Sequence, residues 1–236
     1  MIKCSSLVKY YRTSVGLEKV DLGINDGEIV GIFGANGAGK STLLKLIAGL
    51  IRPTEGSVEI NGRAACDARG EIAFMTEAGS CFGSLDVAGH AELLKDFYPK
   101  FNSERYNELI AAFGVPKDKK YRAMSRGQRA KLEIAIGFSK GARILLLDEP
   151  FLGTDIVTKK DFLSSAAMTL DGETLLIATH DIDEVENFID RAVVIRNGRI
   201  AADRSVDSIR EEGRSVARLF SDIVRGQQKD ETGRSL

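Results

Sequence analysis

The sequence has little with which to cross-link itself: three cysteines, Cys4, Cys66 and Cys81, in 236 residues. Their number is odd, their spacing wide and no CxxC pair occurs, so neither a disulfide framework nor a zinc site is indicated. A reducing cytosol is the plain reading. Long apolar runs are missing as well. The longest, around residues 144–147 and 175–178, fall far short of the ~20 residues a bilayer span needs. The chain is not expected to cross a membrane by itself, although it can sit on one through a partner. The amino terminus has no charged stretch followed by an apolar one, and no secretory signal is read there. Charge of one sign is scarce too: 33 Lys and Arg against 34 Asp and Glu leave a net charge of -1, without the strongly basic domain or face of a nucleic-acid binder. No internal repeat and no low-complexity tract is seen. What is present, 43% hydrophobic and 28% charged residues, is globular composition, enough for one substantial core or a core with an inserted lobe.

The first third reads as strands punctuated by turns. Residues 29–33 form a short apolar run ending in glycine, and residues 57–60 alternate before an Asn61–Gly62 turn. Between them Leu43, Leu44, Leu46, Ile47 and Leu50 recur at helical spacing over residues 41–50. Strand, glycine turn and helix open an α/β unit. Residues 71–75 read as another strand. From 86 to 140 the pattern is helical, broken by Pro99 and by Gly114-Val115-Pro116, and is predicted to form a lobe inserted into the core. The core then resumes with a strand at 144–147, a helix at about 156–170, a strand at 174–178, a helix at 182–189, and a hairpin turning at Asn197–Gly198. One final helix is expected over 205–224, and 226–236 reads as a polar, loose tail.

The chemistry concentrates in three places. Gly34-Ala35-Asn36-Gly37-Ala38-Gly39-Lys40-Ser41 fits G-x-x-x-x-G-K-[ST] between a predicted strand and a predicted helix, the context that motif requires. Glycines let backbone N–H groups turn inward around phosphate oxygens, and the helix N-terminus adds a favourable dipole. Lys40 brings a cation to the β and γ phosphates, Ser41 a hydroxyl for Mg²⁺, and Thr42 a further phosphate contact. A glycine turn that only packs helix on strand is the blander reading, and the full motif in its proper setting argues against it. Asp148 and Glu149 end the apolar strand, on the sheet edge where α/β folds bind ligands. There Asp148 can hold Mg²⁺ through water while Glu149 orients or deprotonates an attacking water. An Asp-Glu pair that merely ends a strand in solvent is common, but less expected downstream of a phosphate loop. His180 closes the next apolar strand at the same edge. A lone histidine is usually packed or solvated, and His90 is the other one. The position of His180 is what allows its imidazole to reach a γ-phosphate.

After the phosphate loop come, in order, Met124-Ser125-Arg126-Gly127-Gln128, Leu147-Asp148-Glu149-Pro150, Gly153-Thr154-Asp155 and Thr179-His180-Asp181. In these motifs and their order the chain resembles the nucleotide-binding domain of an ABC transporter ATPase, from about residue 7 to residue 200. The resemblance implies an α/β fold, a P-loop NTPase core with a RecA-like mixed sheet, an N-terminal antiparallel β layer and an inserted helical subdomain. The domain is expected over 1–225, with the helical insert at about 83–140 and the tail at 226–236. The implied cofactors are ATP and Mg²⁺. Tyr11 falls where family members stack an aromatic on adenine, with Tyr10 a competing candidate. Ser125, Gly127 and Gln128 align with the signature that touches the γ-phosphate on an opposing subunit; read alone, they are a helix start with Ser125 as N-cap. Asp155 aligns with the loop at the dimer seam, and Glu77 is expected near the metal with Ser41 and Asp148. The implied partners are a second nucleotide-binding subunit, as homodimer or heterodimer, and separate integral membrane subunits that dock on residues 82–98. The implied location is cytoplasmic, peripheral on the cytoplasmic face of the cell membrane, with export favoured and nucleic acid not expected.

Three positions depart from the family pattern. Arg126 replaces the usual signature glycine, Glu77 stands for a glutamine, and Thr154 for a leucine. None removes the phosphate loop, Asp148 or Glu149, so hydrolysis is expected. The basic run Lys117, Lys119, Lys120, Arg122, Arg126, Arg129 and Lys131 reads as a solvated face or as a funnel for a partner's triphosphate. The rival readings are a soluble ATPase of the same superfamily, serving a cytosolic assembly or acting on nucleic acid, and a nucleotide-binding regulator without turnover.

Overall fold

Apolar runs without polar alternation form the middle of a sheet covered on both faces. A computed structural model of the chain describes residues 1–76, 81–150, 159, 163 and 170–226. In chain order its elements are β1 (Ile2–Tyr10), β2 (Val15–Ile24), β3 (Ile29–Phe33), α1 (Lys40–Ile47), β4 (Glu55–Ile60), β5 (Arg63–Ala64), β6 (Ile72–Met75), α2 (Val87–Phe97), α3 (Ser103–Ala112), α4 (Arg126–Ser139), β7 (Ile144–Asp148), β8 (Thr174–Thr179), α5 (Ile182–Val185), β9 (Arg191–Arg196), β10 (Arg199–Ser205), α6 (Val206–Glu211) and α7 (Val216–Gly226). A four-stranded antiparallel layer runs β2-β1-β4-β5, and a six-stranded sheet runs β10-β9-β3-β8-β7-β6. In the larger sheet β9, β3, β8, β7 and β6 are parallel and only β10 is antiparallel.

Period-two alternation divides this sheet between two cores. Val30, Ile32, Ile144, Leu146, Leu176 and Ala178 face α1 and the antiparallel layer. Leu145, Leu147, Leu175 and Ile177 face the other way, onto a core shared with Tyr106, Leu109, Leu132 and Phe138 of the helical part. Helix α1 carries Leu43, Leu44, Leu46 and Ile47 into the first core. The helical part starts where the caps say it should: Asp86, Asn102 and Ser125 each accept an N–H from the first turn of α2, α3 and α4. It is tied to the sheet by Arg105 of α3, whose guanidinium pairs with Glu173 at 2.6 Å just before β8.

Three predicted helices differ from the reading: two are shorter and one is divided. The segment expected at 182–189 is helical only over Ile182–Val185; Phe188 N–H closes on Val185 and the chain turns to enter β9, where Asp190 N–H meets the Ile29 carbonyl at 2.8 Å. The single helix expected over 205–224 is two, α6 and α7, because Gly213 adopts a φ of 70° that ends α6 in the left-handed conformation. The helix expected at 41–50 stops at Ile47, with Gly49 at a φ of 65°. Glu77, Gly153-Thr154-Asp155, most of the helix expected at 156–170 and the tail from 227 lie outside the described residues. No helix among the described residues is long and apolar enough to cross a membrane.

Candidate functional site

β3 ends at Phe33 and the chain turns through residues 34–39 into α1. Gly39 sits at a φ of 115°, and a Cβ there would stand 2.5 Å from the Gly16 carbonyl oxygen, so conformation and space both demand glycine. Helix α1 has no side-chain N-cap among the described residues. Its first N–H groups are therefore available to an anion. Lys40 folds back over the loop: its Nζ donates to the Gly34 carbonyl at 2.8 Å and is only 5% exposed.

The parallel register of β7 and β8 sets Asp148 beside Ala178, so both strands discharge their polar ends at the loop. Glu149 follows with a φ of 50°, and its N–H donates to Ala178 O at 2.8 Å. A non-glycine residue in that conformation costs about 1 kcal/mol, backbone strain of the kind that collects at working positions. The turn aims the carboxylate at two groups at once. Oε1 lies 3.1 Å from Lys40 Nζ, and Oε2 lies 3.0 Å from His180 Nδ1. Since a carboxylate only accepts, Nδ1 carries the hydrogen, and Nε2 stands 3.8 Å from Asp181 Oδ1. Oε1 is buried and, apart from the ion pair, takes no hydrogen bond from the described residues. Burial pushes the Glu149 carboxyl up, but the His180 hydrogen bond and the Lys40 charge outweigh it and hold it below the usual range. Its neighbour goes the other way: burial pushes Asp148 up, further than the Ser41 hydrogen bond pulls it down.

Ser41 Oγ donates to Asp148 Oδ1 at 2.8 Å, bringing a hydroxyl and a carboxylate to one point at the start of α1. That donor set fits magnesium, a hard cation that takes one or two protein oxygens and leaves the rest to phosphate and water. No group of three or more His, Cys, Asp or Glu suited to an all-protein cage occurs among the described residues. Ala38 through Thr42, Asn36, Gly37, Glu149 and His180 line one cleft of about 500 Å³, and Tyr11 closes its mouth. Just past the end of β1, Tyr11 sets its hydroxyl 3.4 Å from Thr42 Oγ1; Tyr10 is not among the walls. Gly34, the first residue of the loop, packs beneath it against the Ile195 carbonyl.

Ser125, Gly127 and Gln128 are not brought to this cleft within the chain. They open α4 as a capping box, Ser125 Oγ accepting from Gln128 N–H at 3.3 Å and Gln128 Oε1 accepting from Ser125 N–H at 3.0 Å. His90 is the packed histidine, 2% exposed, with Nδ1 on the Asp86 carbonyl and Nε2 accepting the Phe82 N–H.

Sequence reasoning missed two glycines. At Gly16 a Cβ would lie 2.7 Å from the Tyr11 ring and 3.0 Å from Thr42 Cγ2, so its bareness lets the ring settle over the loop. Gly198, in the β9–β10 turn, donates its N–H to Ala38 O at 2.9 Å and accepts from Glu18 N–H at 2.7 Å. Asn197–Gly198 is legible as a turn, but nothing local in sequence says that it underpins the phosphate loop.

A family model described as ABC transporter matches residues 17–152, more than half of the chain. The chain is 29% identical over 233 residues to the lipopolysaccharide export system ATP-binding protein LptB of Haemophilus influenzae (strain ATCC 51907 / DSM 11121 / KW20 / Rd), covering 93% of this chain and 96% of that one. It superposes on the structure of an ATP binding subunit of an ABC transporter with a TM-score of 0.83, at 28% identity over 95% of this chain and 99% of that one. It also superposes on the ATP-binding cassette MJ0796, dimeric in a post-hydrolysis state bound to ADP and Pi, with a TM-score of 0.78, at 26% identity over 87% of this chain and 99% of that one. The family match and the phosphate-loop cleft agree, and the chain belongs to the ABC transporter family as one of its ATPase cassettes.

Proposed function

We propose that two copies of this cassette, or one copy and a related cassette, close head to tail around two Mg-ATP and drive transport by separate membrane-spanning subunits. The observation that carries this is the placement of Glu149, tethered between Lys40 and His180 beside the phosphate loop, with one carboxylate oxygen that takes no hydrogen bond from the described residues. Lys40 and the amides of Asn36 to Thr42 hold the phosphates, and Tyr11 offers its ring to the base. Ser41 and Asp148 would hold magnesium, which would supply charge to neutralise the phosphates. Glu149 then orients the attacking water and accepts its proton, while His180 holds Glu149 in place through Nδ1. Ser125, Gly127 and Gln128 complete the site of the partner, which accounts for their distance from the cleft of their own chain.

The proposed assembly domain is 1–225, with its helical insert at about 83–140. Phe82, just before that insert, and Phe97 within it are 57% and 71% exposed, apolar surface of the kind that a membrane-subunit helix covers. With those subunits the cassette works peripherally at the cytoplasmic face of the membrane. The export role named for LptB supports outward transport as the favoured direction. The test is gel filtration of Glu149→Gln at saturating Mg-ATP: a trapped dimer is expected, and a persistent monomer contradicts the sandwich. Co-purification with an integral membrane protein tests the second half of the proposal.

A further inference from the structure

Helix α7 has an apolar face carrying Val216, Leu219, Phe220 and Ile223. A helix of this kind is expected to cover a core. It is also bonded at both ends to segments that lead to the phosphate-loop cleft. At its start, Val216 N–H donates to Glu186 Oε1 at 2.9 Å, on the segment that leads away from His180. Towards its end, the Ile223 carbonyl accepts from Arg196 Nη1 at 2.5 Å. Arg196 adjoins the Asn197–Gly198 turn, and Gly198 N–H holds Ala38 of the phosphate loop at 2.9 Å. One end of the helix is thus bonded to the His180 side of the site and the other to the support of the phosphate loop.

Phe220 sits between the two. It walls a cleft of about 280 Å³ with His180, Asp181 and Ile182, and a second of about 280 Å³ with Asn36, Gly37 and Asn197. The residue is only half-buried, packed at the border of the core. On its other side His180 bonds to Glu149 through Nδ1 and is 39% exposed, with Nε2 3.8 Å from Asp181 Oδ1.

We infer that Phe220 is a positioning residue for hydrolysis: α7 is a strap across the phosphate loop and the His180 segment, and the Phe220 ring spaces them. This rests on the reading that His180 holds Glu149 for the chemical step. Truncating the ring merges the two clefts and lets His180 drift, while the amides and Lys40 that bind phosphate stay in place. Misplacement of a catalytic neighbour by an ångström or less lowers turnover about tenfold or more without weakening ground-state binding.

The test is steady-state ATP hydrolysis by Phe220→Ala and Phe220→Leu, each in the wild-type and His180→Ala backgrounds. Phe220→Ala is expected to lower kcat about tenfold with KM within about twofold of wild type, and Phe220→Leu to restore most of the loss. In the His180→Ala background Phe220→Ala should add nothing, because the two changes remove the same arrangement. Wild-type kcat in Phe220→Ala overturns the inference, as does an equal further loss in the His180→Ala background. If His180→Ala itself turns over like wild type, the reading of the site fails instead. Should Phe220→Ala not fold, Arg196→Met releases the far end of the strap and must give the same kcat loss, absent in the His180→Ala background, or the strap is refuted.

Discussion

The ion pair between Lys40 and Glu149 has a consequence for nucleotide affinity. At 3.1 Å, in a site where the two side chains are 5% and 15% exposed, the gross attraction is about 5 kcal/mol at an effective dielectric constant of about 20. Desolvation of both charges cancels most of it, leaving about 1 kcal/mol. An incoming triphosphate draws the Lys40 ammonium to its own oxygens and brings negative charge beside Glu149, so this contact is weakened when ATP binds. Glu149→Gln keeps the shape and can still accept from His180, but removes the competing charge. It should therefore bind Mg-ATP about fivefold more tightly than wild type binds a non-hydrolysable analogue, since about 1 kcal/mol is a factor of about five. Phosphate release should fall at least about 100-fold for loss of the proton acceptor. Titration with a fluorescent nucleotide, paired with a phosphate-release assay, reads both. Affinity equal to or weaker than wild type would refute the argument, whatever happens to turnover.

Four further outcomes follow from the geometry. Asp148→Asn should raise the melting temperature of the nucleotide-free protein at neutral pH by about 3 °C, for about 1 kcal/mol, while abolishing magnesium-dependent turnover. The sign comes from the raised Asp148 pKa: the folded state favours the protonated form, so ionised Asp148 destabilises the fold at neutral pH, and the gain should vanish as pH falls below the usual aspartate range. Glu149 is depressed, so its contribution is present above the usual glutamate range and lost as pH falls through its lowered value; thermal melts of Glu149→Gln should converge on wild type in acid. Gly16→Ala places a methyl 2.7 Å from the Tyr11 ring and should raise KM for ATP about fivefold, roughly the loss of one aromatic contact of about 1 kcal/mol, with little change in kcat. Glu173→Ala leaves Arg105 without its 2.6 Å partner between helical part and sheet and should destabilise the fold by about 2 kcal/mol in urea.

The phosphate loop, Asp148, Glu149 and His180 were legible because their chemistry is written in contiguous residues and in strand ends: a glycine loop leading into a helix, and apolar strands that stop at a polar side chain. Parallel strands buried on both faces made the core easy to read, as uninterrupted runs at 29–33, 144–147 and 174–178. What escaped was made by distant segments meeting. Gly16 and Gly198 matter through contacts with Tyr11, Thr42 and Ala38, which no local pattern announces. The last helix was read as continuous because its apolar spacing runs past Gly213, and only the positive φ there divides it. Tyr11 and Tyr10 were equivalent in sequence; the end of β1 at Tyr10 separates them, leaving Tyr11 to turn over the loop.

The central claim is that the amides and ammonium at residues 34–42 form a seat for Mg-ATP. Calorimetric titration of the Glu149→Gln protein with ATP, with and without magnesium, tests it most directly. Saturable binding near one ATP per chain, strengthened by magnesium and abolished by adding Lys40→Ala, is the expected result. Heats indistinguishable from dilution at millimolar Mg-ATP, in protein shown by its melting curve to be folded, would contradict it.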